Sequence, residues 1–449
     1  MLNLPSSILP IFLPFANIFA LKKTFLKSLV LMMGSLLCRG GVTVCAALRA
    51  VGLSAEQNFC RYHRLLNRDR WNLFTGAKIL LLLLLKLFPS ENAITFTIDD
   101  TLERRRGKKI NAKGWFKDPI QSNHGKVVTS SGLRWMPVML LTHVPFIGRI
   151  FALCFLTILV PSEKRQKQLG KRHRSPQHRA SQVVCLLRRW FRHSKLRLIV
   201  DAGYACIELA RQCIRQNVTL ITRLRVNARL FELAPPNTGK RGRPRQKGKR
   251  INLHETAKTL SWVKHIIKGY KGVEEIREIA EFVCLWAPAG KNSPLRVRVV
   301  LSRDPSNIEG PLFALLTTDM AISAKEVVEL YILRWNQEVT HREVREHLGM
   351  ETQRQWSDRA IERSTPLIFA LHSLVFAIAS QLHDRSPLQT AQCAWYSKEH
   401  LTFSDLLHAV RGVLREHVFS RVLAADPILQ KFPPSKELLE AVLRLAEAA

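Results

Sequence analysis

The spacing of apolar residues changes character along the chain. Over the first ninety residues it is helical. In "TVCAALRAVGLSAEQNFCRYHRLLNRDRW" one helix is expected to end near Gly52. Ser54 is placed to cap a second, with Gln57 as its capping-box partner, and Phe59, Tyr62, His63 and Leu66 follow at helical spacing. Two helices, a tight turn and a basic second member fit a helix-turn-helix, and fit a plain helical bundle equally well. From Ile94 the pattern shifts to short β-branched runs. Strands are expected at Ile94–Ile98, Trp135–Thr142, Arg149–Val160, Leu196–Val200 and Thr219–Arg223. A helix over Ser181–Trp190 precedes the fourth, and "DAGYACIELARQCIRQ" reads as a strand end running into a helix. Strands in a meander, then alternating with helices, describe a mixed α/β sheet.

Between Leu233 and Arg303 the grammar changes again. A Pro/Gly/basic loop, "APPNTGKRGRPRQKGKR", precedes the antiparallel-looking runs "WVKHIIKGY", "EEIREIAEFVCLWAP" and "LRVRVVLSR". "PLFALLTTD" adds a core strand. Ser323 and Glu326 then form a capping box that opens a long helix from about Ala324 to His347, and the chain from Ile361 onward is helical. Five segments follow: 1–90 helical, 91–232 and 306–375 the two parts of an α/β core, 233–305 a β-rich insertion, and 376–449 helical.

Three apolar stretches bear on membranes. Ile8–Leu21 carries its lysines after the apolar run, the reverse of a signal peptide. Ile79–Phe88 is too short to span a bilayer. Val138–Val160 is long enough, but His143, Pro145 and Arg149 interrupt it, so two buried strands in a hairpin are expected and a membrane span is the alternative. No membrane partner is expected. The nine cysteines form no CxxC pair and read as reduced thiols of an intracellular protein.

Charge narrows the partners. Against 69 Lys and Arg stand 35 Asp and Glu, a net charge of +34. Such an excess suits a polyanion, most commonly nucleic acid. In so basic a chain the acidic residues at strand ends stand out: Asp100 closes "TFTIDDT", Asp201 closes "RLIVDAGY", and Glu338 lies in "YILRWNQEVTHREVR". Carboxylates brought together repel by about 4 kcal/mol per pair at about 4 Å and an effective dielectric near 20. They are stable as anions only with cations between them, and hard oxygen ligands suit Mg²⁺ or Mn²⁺.

These blocks resemble those of insertion-sequence transposases of the DDE class, over roughly Gly41 to Pro366. "DDT" at Asp99–Thr101 is similar to the first acidic block of that family and "DAGY" at Asp201–Tyr204 to the second. The Y-x2-R-x3-E-x6-K signature falls on Tyr331, Arg334 and Glu338, with Arg345 in place of lysine. The resemblance implies a ribonuclease H-like mixed sheet interrupted by a β-rich insertion, with an all-helical N-terminal DNA-binding domain and a helical C-terminal region. It implies that Asp100, Asp201 and Glu338 hold two Mg²⁺ ions, with Mn²⁺ as a substitute, and favours Asp100 over Asp99 as the ligand. It implies DNA contacts by Tyr331, Arg334 and Arg345, cleavage at terminal inverted repeats with strand transfer to a target, at least a homodimer on DNA, and work in the bacterial cytoplasm. A domesticated DNA-binding relative and a nuclease of the same fold are the alternatives. The histidines show no ligand spacing and are expected to be structural or superficial.

"KRGRPRQKGKR", residues 240–250, is similar to an AT-hook core and places Arg241, Arg243 and Arg245 for DNA; non-specific phosphate contact suits it equally. Neutralising its seven Lys and Arg should weaken DNA binding and flatten the dependence of log Kd on log salt. The slope should drop by roughly 6 if all seven meet phosphates, at about 0.9 per contact. An unchanged slope, measured by fluorescence anisotropy across a salt series, would make the segment a linker.

Overall fold

The computed structural model describes residues 4–425, apart from 119, 124, 226, 237–244, 288–292, 309 and 391–393, together with 431 and 435. Among the described residues thirteen strands form one sheet. In chain order they are β1 (Ile94–Ile98), β2 (Thr101–Arg104), β3 (Gly114–Lys117), β4 (Thr129–Val144), β5 (Arg149–Leu159), β6 (Leu196–Val200) and β7 (Val218–Arg223). There follow β8 (Leu230–Phe231), β9 (Arg250–Ile251), β10 (Val263–Lys268), β11 (Glu274–Trp286), β12 (Leu295–Arg303) and β13 (Phe313–Thr317).

The centre of the sheet runs β5-β4-β1-β6-β7. The first three pair antiparallel, and β1, β6 and β7 pair in parallel. That order is ribonuclease H-like. Parallel strands need crossover connections; here helices Pro176–Trp190 and Ile207–Arg215 precede β6 and β7 respectively. Strands covered on both faces read as continuous apolar runs, and all five residues of β6, "LRLIV", are buried. The run Val138–Val160 is the expected hairpin: it falls in β4 and β5, which turn at Gly148 with φ +73. The β-rich insertion continues the same sheet, because β13 pairs with β7 on one side and β12 on the other.

Helices differ from expectation in two places, and a third is notable for its burial. The segment read as one helix from Ala324 to His347 is two, Ala324–Leu333 and Asn336–Leu348. At the joint the amides of Arg334, Trp335, Gln337 and Glu338 bond three residues back, the tighter 3₁₀ pattern. Near the N-terminus, Thr43 caps Val44–Ala50, but the next helix starts at Cys60 with no side-chain cap, so Ser54 does not open it. The intervening residues are turns, and the pair packs against helices Lys22–Leu37 and Asp358–His383. Arg363 of the latter donates to the carbonyls of Leu65 and Leu66, both at 3.0 Å, and stacks on Trp71. Finally, Asp358–His383 is by length and composition apolar enough to cross a membrane, yet 78% of its apolar window is buried within the protein, mainly against β5. It is the core helix behind the sheet.

Sheet and core helix are joined by a buried carboxylate. Glu103 of β2, fully buried, accepts hydrogen bonds from Arg105 at 2.7 Å, from the Trp135 indole at 2.6 Å and from the Thr365 hydroxyl at 2.8 Å. Removing one partner of such a cluster leaves an uncompensated charge. Glu103→Ala should therefore destabilise the fold by about 3–5 kcal/mol, read as a lower denaturant midpoint with unchanged slope. An unchanged midpoint would show that Arg105 finds another partner.

Candidate active site

Strands β1 and β6 lie side by side and in register, Ile98 opposite Val200. Each ends in an acid, so Asp99 and Asp201 leave the same end of adjacent strands, about 4.8 Å apart in a sheet. Consecutive residues of an extended segment point to opposite faces, and the two neighbouring aspartates divide accordingly. Asp100 turns towards β4, where Arg134 pairs with it and the Tyr204 hydroxyl donates to it at 2.5 Å. Asp99 turns to helix Asn336–Leu348. Its Oδ2 accepts from Gln337 Nε2 at 3.0 Å, and its Oδ1 accepts from the Asp100 amide at 2.8 Å. Sequence reasoning selected Asp100; the structure brings Asp99, and not Asp100, to Glu338.

Three ligand-type side chains meet there. Donor atoms of Asp99, Glu338 and His341 all lie within 4.8 Å of one another. Arg334 stands between the carboxylates, its Nη1 3.7 Å from Asp99 and 3.6 Å from Glu338. Its side chain is 13% exposed, whereas that of Glu338 is 41% exposed and gives the cluster an open side. Asp201 joins through the preceding helix, Ala324–Leu333: the Tyr331 hydroxyl donates to its Oδ1 at 3.4 Å.

The electrostatics follow from this crowding. Burial, reinforced by the neighbouring Glu338, pushes the Asp99 carboxyl up to about 8, against the pull of the Asp100 amide and Arg334. Burial works against the charge of Arg334, yet Tyr331, Asp99, Asp201 and Glu338 around it hold its pKa above the usual value. Burial, with Arg345 and Arg334 nearby, pushes His341 down to about 3, so its ring is neutral and keeps a lone pair. Burial likewise raises Tyr331 to about 12.

The remaining signature residues also have protein partners. Tyr331 is buried, edge-on to Phe313. Arg345 donates to the Thr101 hydroxyl and, at 3.1 Å, to the Leu102 carbonyl, and lies 3.8 Å from Glu351. Tyr331, Arg334 and Arg345 were expected at DNA; in the structure each reaches inward, to Asp201, to Asp99 and Glu338, and to the start of β2. Arg241 and Arg243 lie outside the described residues. Arg245 is exposed. Trp286 is buried in the sheet, and Trp262 lies under Arg303 at 4.0 Å.

Two site residues escaped sequence reasoning. Gln337, fully buried, accepts from the Thr97 hydroxyl at 2.5 Å and donates to Asp99, clamping β1 to the helix. His341 was set aside for want of ligand spacing, but Glu338 and His341 stand at i and i+3, one face of a helix. That spacing was the available signal.

A family model described as a DDE superfamily endonuclease matches residues 14–277, more than half of the chain. No curated protein matches it. Among solved structures it is similar to the piggyBac transposase synaptic complex with hairpin DNA, at 12% identity over 98% of this chain and 82% of that one, with a TM-score of 0.43. A likeness that loose carries no functional weight.

The raised Asp99 carboxyl links stability to pH. Folded, the group keeps its proton up to about pH 8; unfolded, it loses it near 3.8. The folded state binds more protons between those values, so its stability falls as pH rises through them. The melting temperature of metal-free protein should drop by a few degrees between about pH 5 and 8 relative to Asp99→Asn, which carries no such proton. Parallel melting profiles for the two proteins would place the charge burden elsewhere.

Proposed function

The chain belongs to the DDE superfamily endonucleases, and from that membership we propose that it is a DNA transposase. It cuts a phosphodiester at the end of a mobile element and joins the freed 3′-hydroxyl to target DNA. The observation that carries this reading is Asp99 and Glu338 gathered around Arg334, at the end of the strand beside the one that carries Asp201. Asp99, rather than Asp100, is the first acid of the set, because Asp100 is already neutralised by Arg134 and Tyr204 on the other face.

The donors fit a divalent metal. Asp99, Asp201 and Glu338 offer hard oxygens, and the raised Asp99 carboxyl marks a place where positive charge is wanted. Held there, Mg²⁺ or Mn²⁺ supplies a polarised scissile phosphate and an activated water. The chain's own residues do the positioning. Tyr331 orients Asp201, Gln337 fixes Asp99 against the helix, and Arg345 anchors Thr101 one residue beyond Asp100. Arg334 keeps the carboxylates together before the metal arrives. DNA is drawn by the net charge of +34, through contacts that are mostly to phosphates. Joining two element ends in one event requires two active sites, so the DNA-bound form is a homodimer.

Asp99→Asn, Asp201→Asn and Glu338→Gln should each lower metal-dependent cleavage of element-end DNA by about a thousandfold or more while leaving DNA affinity within about threefold. Asp100→Asn should retain activity within about tenfold. Loss of cleavage in Asp100→Asn with retention in Asp99→Asn would reverse the assignment. Cutting without joining to a supplied target would make the protein a nuclease of the same family.

A further inference from the structure

We infer that His341 is a nitrogen ligand in the metal site formed by Asp99 and Glu338, so that this site prefers a nitrogen-accepting transition ion, Mn²⁺ in the simplest case, over Mg²⁺. The inference rests on the reading that Asp99 and Glu338 hold a divalent ion. Three observations carry it. First, the His341 ring is buried, 4% exposed, and its Nε2 has no hydrogen-bond partner among the described residues. Buried side-chain polar atoms in proteins are almost always paired, so an orphan of this kind calls for a ligand. Second, Glu338 and His341 share one face of helix Asn336–Leu348, and Asp99 comes from the strand the helix packs beside. The three donors are already within 4.8 Å of one another. Cis ligands of an ion at about 2.1 Å stand about 3 Å apart, so closing on an ion needs only small side-chain shifts. Third, the geometry has a floor and a mouth. His341 lies beneath, edge-on to Phe369 with ring centroids 6.0 Å apart, while Glu338 is partly open to solvent. An ion seated here would be held by the imidazole on the buried side, with Glu338 at the solvent side.

The donor type decides the ion. Mg²⁺ demands oxygen and keeps its waters, whereas Mn²⁺ takes the same carboxylates and, as a first-row transition ion, also accepts an imidazole nitrogen beside them. Two carboxylates and one imidazole therefore favour Mn²⁺ over Mg²⁺. The incoming ion also takes over the charge balance now held by Arg334, whose Nη1 sits 3.7 and 3.6 Å from the two carboxylates and whose Nε is without a partner.

The test uses the full-length protein stripped of metal and titrated with Mn²⁺, followed by pulsed electron paramagnetic resonance. Wild type should show ¹⁴N coupling from a directly bound imidazole, lost in His341→Gln. That variant should bind Mn²⁺ about tenfold or more weakly, with Mg²⁺ affinity, measured by competition, changed less than about threefold. Mn²⁺ bound to wild type with no ¹⁴N coupling would overturn the inference and leave the carboxylate site standing; that measurement needs no variant to fold. Mn²⁺ binding unchanged in both Asp99→Asn and Glu338→Gln would overturn the carboxylate reading itself, and this inference with it.

Discussion

The site depends on keeping two carboxylates together that would otherwise drive each other apart. Asp99 and Glu338 come from a strand and a helix far apart in sequence, and at about 4 Å their repulsion costs about 4 kcal/mol at an effective dielectric near 20. Arg334 offsets that cost, with one nitrogen within 4 Å of both. Burial, with what repulsion from Glu338 remains, drives the Asp99 carboxyl up to about 8. A guanidinium is suited to this place because it stays charged when buried. Its position also explains the joint in the helix. The first half, Ala324–Leu333, delivers Tyr331 to Asp201; the second, Asn336–Leu348, delivers Gln337 and Glu338 to Asp99. The tightened turn at Arg334 and Trp335 lets one segment serve two adjacent strand ends.

A site built on charge needs a frame that resists it. Thr340 donates to the Ala152 carbonyl of β5 at 2.7 Å, and Gln337 bonds both Thr97 and Asp99, so the helix is pinned to the sheet on either side of Glu338. Behind the sheet, Glu103 ties β2 and β4 to the core helix Asp358–His383. That helix in turn holds the N-terminal helices through Arg363, and Arg411 caps the carbonyls of Leu36 and Cys38 at 2.7 and 3.1 Å.

Much of this was legible in the sequence, for identifiable reasons. The central strands β1, β6 and β7 were read to within a residue because short β-branched runs bounded by polar residues have no competing interpretation. The Ser323 cap was correct because its hydroxyl bonds the Glu326 amide locally, at 3.1 Å. Which of Asp99 and Asp100 turns to the helix was not legible. Alternation says that they diverge, but which face receives the helix is decided by residues more than two hundred positions away. The helix joint was hidden for a similar reason: neither Gly nor Pro marks it, and the tertiary pull of two strand ends makes it. The spacing of the histidines alone carries no signal for His341; the pattern joins a glutamate and a histidine three residues apart on one helix.

The run "ERRRGKK", Glu103–Lys109, shows how one basic stretch is divided between framework and surface. Arg104 turns inward to Asp118, at 2.7 and 2.8 Å, and to Glu351; the Arg104 guanidinium, with the Ser130 side chain and the Gln121 and Ile120 amides, lowers the Asp118 carboxyl to about 2. Arg105 is buried on Glu103 and the Gln355 carbonyl. Arg106, Lys108 and Lys109 are exposed, and Lys109 lies 5.5 Å above the half-exposed ring of Trp356. A guanidinium committed to a buried carboxylate cannot also neutralise a phosphate, so the net charge of +34 overstates what faces outward near the site. The arginines closest to the carboxylates, Arg134, Arg334 and Arg345, are committed in the same way. Attraction for a polyanion must therefore come from the exposed members of such runs, set back from the carboxylates, while the inward members fix where those carboxylates stand.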